Sequence, residues 1–249
     1  MFAIFKKELR SYFINAIGYV YAGVFLAVSA LLLCFTTLSA SSYDTSSYFN
    51  FLILTFIILI PLLTMKLFSE EKKLRTEQLL MTAPVTVIGM VFGKFLAAFT
   101  LFGGSLLISC INFFPLYIYG YEETVAADNA GVIFIGPSTG KIIGCLVGVL
   151  LIGAAFIAIG MFISSLTENQ LAAAVITVTV IAFLLLLNIV NERINVYAVR
   201  LVLDWLCILS RFNAFSSGYF DFSALLYYVS LTGVFLLLTV RVYDKRRWG

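Results

Sequence analysis

Six stretches of this 249-residue chain contain no Asp, Glu, Lys or Arg, and each is long enough to cross a bilayer. They are Ser11–Tyr43, Thr45–Met65, Phe95–Tyr121, Ile142–Thr167, Asn169–Asn191 and Phe222–Val240. A hydrocarbon core of about 30 Å needs roughly 20 residues of α-helix. A membrane β-barrel would instead show alternating segments of about 10 residues. These runs are continuous; Phe51–Pro61 reads FLILTFIILIP. Composition agrees, since only 12% of residues are charged, against about 25% in a soluble domain. A water-soluble globule, a disordered chain, a coiled coil and a collagen are thereby excluded. The sequence predicts an all-α integral membrane protein: one transmembrane domain over residues 1–249. Its six helices are expected at about 16–38, 51–67, 90–119, 142–164, 172–190 and 222–240.

Basic residues set the expected orientation. With both termini inside, the inner face holds Lys6, Lys7, Arg10, Lys66, Lys72, Lys73, Arg75, Lys94, Arg241, Lys245, Arg246 and Arg247. The outer face holds only Lys141, Arg193, Arg200 and Arg211. Acidic residues split six to seven, so the bias lies in the cations and explains the net charge of +3 without nucleic acid. The first apolar run is too long for the h-region of a signal peptide and is followed by further spans. Cys34, Cys110, Cys145 and Cys207 are far apart, form no CxxC, and read as small apolar filler.

Residues 2–13 place Phe2, Phe5, Leu9, Tyr12 and Phe13 on one helical stripe beside Lys6, Lys7 and Arg10. That pattern predicts an amphipathic helix in the inner headgroup layer. Ser39–Asn50 reads as an outer loop, and Pro61 predicts a kink in the second span. Gly120–Gly140 reads as a second outer loop. The fourth span carries small residues at Gly144, Gly148, Gly153, Ala154, Ala158 and Gly160, a seam for a close-packed helix; a dimer partner and a helix of the same chain read identically here, the second being the simpler expectation. One or two short outer helices are expected between Asn191 and Asp221.

The segment Phe68–Met90 concentrates charge between the second and third spans. A connector needs only about 2–8 residues, yet this one begins SEEKKLRTEQ and ends near Pro84. Ser69 is expected to cap a helix of three to four turns over 69–83, opened by Glu70 and Glu71 at its positive end. Glu71/Arg75 and Lys73/Glu77 are spaced as i,i+4 pairs. A solvated connector needs none of this, so the segment reads as a docking surface for a cytoplasmic partner.

Catalytic and ligand motifs are missing. There is no His, which removes the commonest general base and transition-metal ligand. Gly136-PSTGKI mimics a phosphate loop, but only three residues separate its glycines and Ile142 follows Lys141. No buried ionisable residue is expected within a span, which argues against a proton-coupled carrier. Asn112 and Asn188 are expected to knit helices together. A passive membrane part with a charged inner helix points to energy supplied by another subunit.

The strings Phe68-SEEKKLRTEQLLMTAPVT, Gly93-KFLAAF and Ile163-SSLTENQLAA, with Lys6-KELRSYF and Gly18-YV, resemble the ABC type-2 transporter permeases. The similarity is closest to the gliding-motility (GldF-like) branch, although that branch often reads GT where this chain has Arg75 and Thr76. The resemblance covers most of the chain. It implies the six-span type-2 exporter fold, with an N-terminal interfacial helix and short extracellular helices before the last span. It also implies a cytoplasmic-membrane subunit that is not itself an enzyme, has both termini in the cytoplasm, and alternates access as substrate moves. A second permease chain would pair with it, and a separate ATPase subunit would bind ATP and Mg. An extracellular accessory subunit is compatible with that plan. The helix after span two would be the coupling helix, touching the ATPase through Glu70, Glu71, Lys72, Lys73, Arg75, Glu77, Gln78 and Leu79. The loop between spans four and five would add Glu168 and Asn169. The competing expectation is a membrane scaffold or assembly protein that recruits a cytoplasmic partner without transport. A channel or secondary carrier is disfavoured by the lack of charged pore residues.

Overall fold

A computed structural model describes residues 1–14, 16–39, 43–75, 86–127, 136–193, 205, 207–219 and 221–248. The described residues form helices joined by turns, and six helical stretches are long and apolar enough to cross a membrane. The chain begins with α1 (Phe2–Ile14) and α2 (Ala16–Leu33), the latter continued by a π-helical turn at Cys34–Leu38. Next come α3 (Ser46–Thr64) and the short α4 (Ser69–Lys73). The third crossing is α5 (Val87–Ser109), a 3-10 turn at Cys110–Phe113, and α6 (Phe114–Ala127). The chain ends with α7 (Thr139–Leu166), α8 (Gln170–Arg193), α9 (Ile208–Ser216) and α10 (Phe222–Trp248).

α7 is the central post, packed by α3, α5, α8, α9 and α10. Its glycines make this geometry: a Cβ on Gly153 would collide with the Phe102 ring of α5, and one on Gly160 with Thr64 of α3. One on Gly148 would sit 2.9 Å from the Phe212 ring of α9. The glycines of the small-residue ladder are thus met by helices of the same chain, the simpler of the two expectations. Aromatic side chains fill the space opened, with Phe102 edge-on to Phe25 and Phe56 at 6.2 and 5.3 Å.

Several boundaries differ from expectation. α3 starts at Ser46, inside the expected loop, because the Asp44 carboxylate accepts from the Ser46 amide (3.2 Å) and hydroxyl (2.8 Å). These bonds hold the Asp44 carboxyl below the usual carboxylate range, the Ser46 hydroxyl contributing most. The helix of the third crossing continues to Ala127, past the loop start expected at Gly120, although its membrane-length apolar stretch ends at Tyr121. That crossing is interrupted at Cys110–Phe113. Pro115 has no N–H for the Ile111 carbonyl, and it fits the first turn of α6. Between Asn191 and Asp221, α9 supplies an expected short helix; it buries Ile208, Phe212 and Phe215. Val196, Val199, Arg200, Leu203, Asp204 and Leu206 lie outside the described residues.

The apolar stripe of α1 faces the protein more than expected. Ile4 and Tyr12 are buried, and Phe5 and Leu9 pack on the core, while Phe2, Phe13 and Ile14 stay exposed. Close approach to α5 is the reason: a Cβ on Gly93 would meet the Met1 carbonyl and Ile4 at 3.2 Å.

Candidate functional site

α1, α4, the start of α5 and the α7–α8 turn converge at one end of the bundle, with a buried lysine at their centre. Lys94 lies in the third turn of α5 and is 1% exposed. α5 is started by Thr86, whose hydroxyl accepts from the Gly89 amide at 3.2 Å. Lys94 Nζ donates to Glu8 Oε1 (3.0 Å), Glu71 Oε1 (2.9 Å) and the Leu67 carbonyl (2.8 Å). Three acceptors satisfy its three protons. The Phe68 ring stands 5.2 Å from the same ammonium.

Each partner has a local cause. Ile4, Glu8 and Tyr12 recur every four residues, so one face of α1 carries all three inward. Glu71 lies in the first turn of α4. Leu67 belongs to the turn after α3, where helix-end carbonyls lack intrahelical donors and attract cations. Tyr12 adds a neutral tie, its hydroxyl donating to the Leu63 carbonyl at 3.2 Å. Burial, with the Glu8 carboxylate second, raises its phenol far above the ordinary range, so it remains a donor.

A second set of bonds locks α4 to α7. Ser164 Oγ accepts from the amides of Phe68 and Ser69, both at 3.2 Å, and donates to the Met65 carbonyl at 3.3 Å. Lys72 Nζ donates to the Ser165 carbonyl. From the other side, Tyr243 of α10 packs its ring 4.9 Å from that of Phe68. α4 is therefore tied to α1, α5, α7 and α10 by side chains that are mostly out of solvent.

This geometry corrects three expectations. Lys94 is a buried ionisable residue in a membrane-length helix, near its end and neutralised by carboxylates from outside that helix. Ser69 is no cap: it is the first residue of α4, its hydroxyl donates back to the Met65 carbonyl, and Ser164 takes the capping role. Nor does one helix run over 69–83. α4 ends at Lys73, and Arg75 adopts φ +56°, a left-handed conformation that breaks the helix. The i,i+4 pair Glu71/Arg75 is not made, because Glu71 turns to Lys94. Glu77, Gln78 and Leu79 lie outside the described residues, as does Pro84.

The remaining predicted site residues separate by direction. Glu71 and Lys72 face the bundle. Lys73, Leu74 and Arg75 are exposed, and Glu70 is half-buried. In the α7–α8 turn Glu168 is exposed, and Asn169 starts α8 with its side-chain oxygen accepting from the Leu171 amide at 3.0 Å. Lys72 and Ser164 bring the two predicted segments, 70–75 and 168–169, together. Leu166 and Leu171 are exposed beside them. Sequence reasoning missed Lys94 and Glu8. Lys94 borders a charge-free window next to Gly93, and Glu8 is the only acidic residue among the cations of α1.

Elsewhere, Asn112 Nδ2 donates to Ser29 Oγ at 3.0 Å, knitting helices as expected. Asn188 instead lines an open groove of about 570 Å³ between α3, α8 and α9, with Asn50, Leu54, Leu185 and Asn213. No known protein family and no curated protein matches this sequence.

Proposed function

We propose that this chain is the membrane permease subunit of an ATP-binding cassette transporter, an exporter moving substrate by alternating access powered by a separate cytoplasmic ATPase. The observation that carries the reading is the fastening of α4. A solvated connector has no need of a buried ammonium, a serine bridge and an aromatic clamp. A helix that must pass a mechanical push from a bound subunit into the spans does need them. Displacing α4 drags α1 and α5 through Lys94 and α7 through Ser164 and Lys72. The outward side of the same segment offers Lys73, Leu74, Arg75, Leu166, Glu168 and Leu171, a mixed charged and apolar surface of the kind protein partners bury. The groove between α3, α8 and α9, apolar through Leu54, Ile57, Leu185 and Leu186 and edged by Asn50, Asn188 and Asn213, supports a mainly apolar path between spans, completed by a second permease chain.

Affinity purification of the tagged full-length chain from its native membrane, in mild detergent, tests the assignment. Recovery of a nucleotide-binding ATPase at about one copy per permease is the expected outcome. Recovery of other intact membrane complexes but no ATPase would favour the scaffold reading.

A further inference from the structure

α1 carries three cations, and its one carboxylate is turned away from them. Lys6, Lys7, Arg10, Ala3, Ser11 and Ile14 line an open groove of about 610 Å³ on the side away from the core. Glu8 is committed to Lys94, and Glu71 bonds the same ammonium. Lys7 reaches Glu71 only at 3.9 Å, and its side chain is 62% exposed. Among the described residues no carboxylate lies within 4.0 Å of Lys6 or Arg10. The buried lysine thus draws off the anions that would otherwise neutralise the groove.

The place of the groove decides what it meets. α1 leads through one residue into the membrane-length helix α2, so its cations stand at the height where that helix enters the bilayer. Phe2, Phe13 and Ile14 are exposed on the same short helix. Cations beside exposed apolar groups match a phosphate headgroup continued by acyl chains. We propose that this groove is a binding site for an anionic phospholipid: Arg10 and Lys6 would hold its phosphate, Lys7 would flank it, and Ile14 would contact the upper acyl chain.

The test is native mass spectrometry of the purified full-length chain in micelles doped with equal phosphatidylglycerol and phosphatidylcholine. The native chain is expected to retain phosphatidylglycerol preferentially. The triple variant Lys6→Gln, Lys7→Gln, Arg10→Gln should lose at least tenfold in phosphatidylglycerol affinity, given about fivefold per surface cation, with phosphatidylcholine unchanged. The charge-preserving variant Lys6→Arg, Lys7→Arg, Arg10→Lys should keep the selectivity, and so should Arg241→Gln with Lys245→Gln at the other basic cluster. Equal retention of both lipids by the native chain would overturn the proposal. So would a folded Gln triple that still selects phosphatidylglycerol, or loss of selectivity in the 241/245 variant. Displacement of the lipid by millimolar inorganic phosphate would also overturn it, marking a free-phosphate site. If the Gln triple does not fold, Arg10→Gln alone must still weaken phosphatidylglycerol retention severalfold.

Discussion

Lys94 shows how one side chain can organise four elements. An ammonium with 2% of its side chain exposed would be costly alone, but its three acceptors match its three protons. Removing one member of such a set strands the others and costs about 3–5 kcal/mol. Lys94→Met is therefore expected to lower the unfolding midpoint sharply in detergent, because Glu8 and Glu71 would face one another with only the exposed Lys7, 3.9 Å from Glu71, as a cation. Adding Glu8→Gln and Glu71→Gln to Lys94→Met should recover much of that loss. An unchanged midpoint in the single variant would remove Lys94 from its structural role. A charge scan could not find this residue, because it treats Lys94 as the edge of a window. Its burial depends on Gly93 admitting α1 and on a carbonyl freed by the end of α3, both of which are tertiary facts.

At the scale of elements, the six membrane-length helices were legible because lipid permits few other ways to satisfy backbone polar groups. Their ends were less legible. α3 begins early through the side chain of Asp44, and α6 continues into charged residues. α4 stops after five residues where a longer helix was expected. The start of α3 turns on bonds from Ser46 to Asp44 just before it, whereas the start of α4 depends on Ser164, far away in sequence. The small-residue ladder of α7 was readable as a seam, and its occupants now give it a prediction. Gly153→Ala should cost about 1–3 kcal/mol through overpacking against Phe102. Gly104→Ala, which meets nothing within 4 Å, should be neutral or raise stability by up to ~1 kcal/mol through helix propensity. Equal unfolding midpoints for the two variants would refute the α5–α7 contact.

For the whole molecule, the inward and outward halves of the 66–75 segment do different work. Glu71, Lys72 and Ser69 hold the bundle together, while Lys73, Arg75 and Glu168 are exposed and Glu70 is half-buried. The sequence marked a charged segment but could not divide it, since EEKKLR carries no mark of which charges turn inward. The division matters, because reversing Glu71 would break the Lys94 knot and lose binding for the wrong reason. The direct measurement is therefore the amount of ATPase co-purifying with the variant Glu70→Lys, Lys73→Glu, Arg75→Glu, which leaves Glu71, Lys72 and Lys94 untouched. That variant is expected to keep a native unfolding midpoint and to recover at least tenfold less ATPase than the native chain. Full ATPase recovery by that folded variant would contradict the docking role of α4.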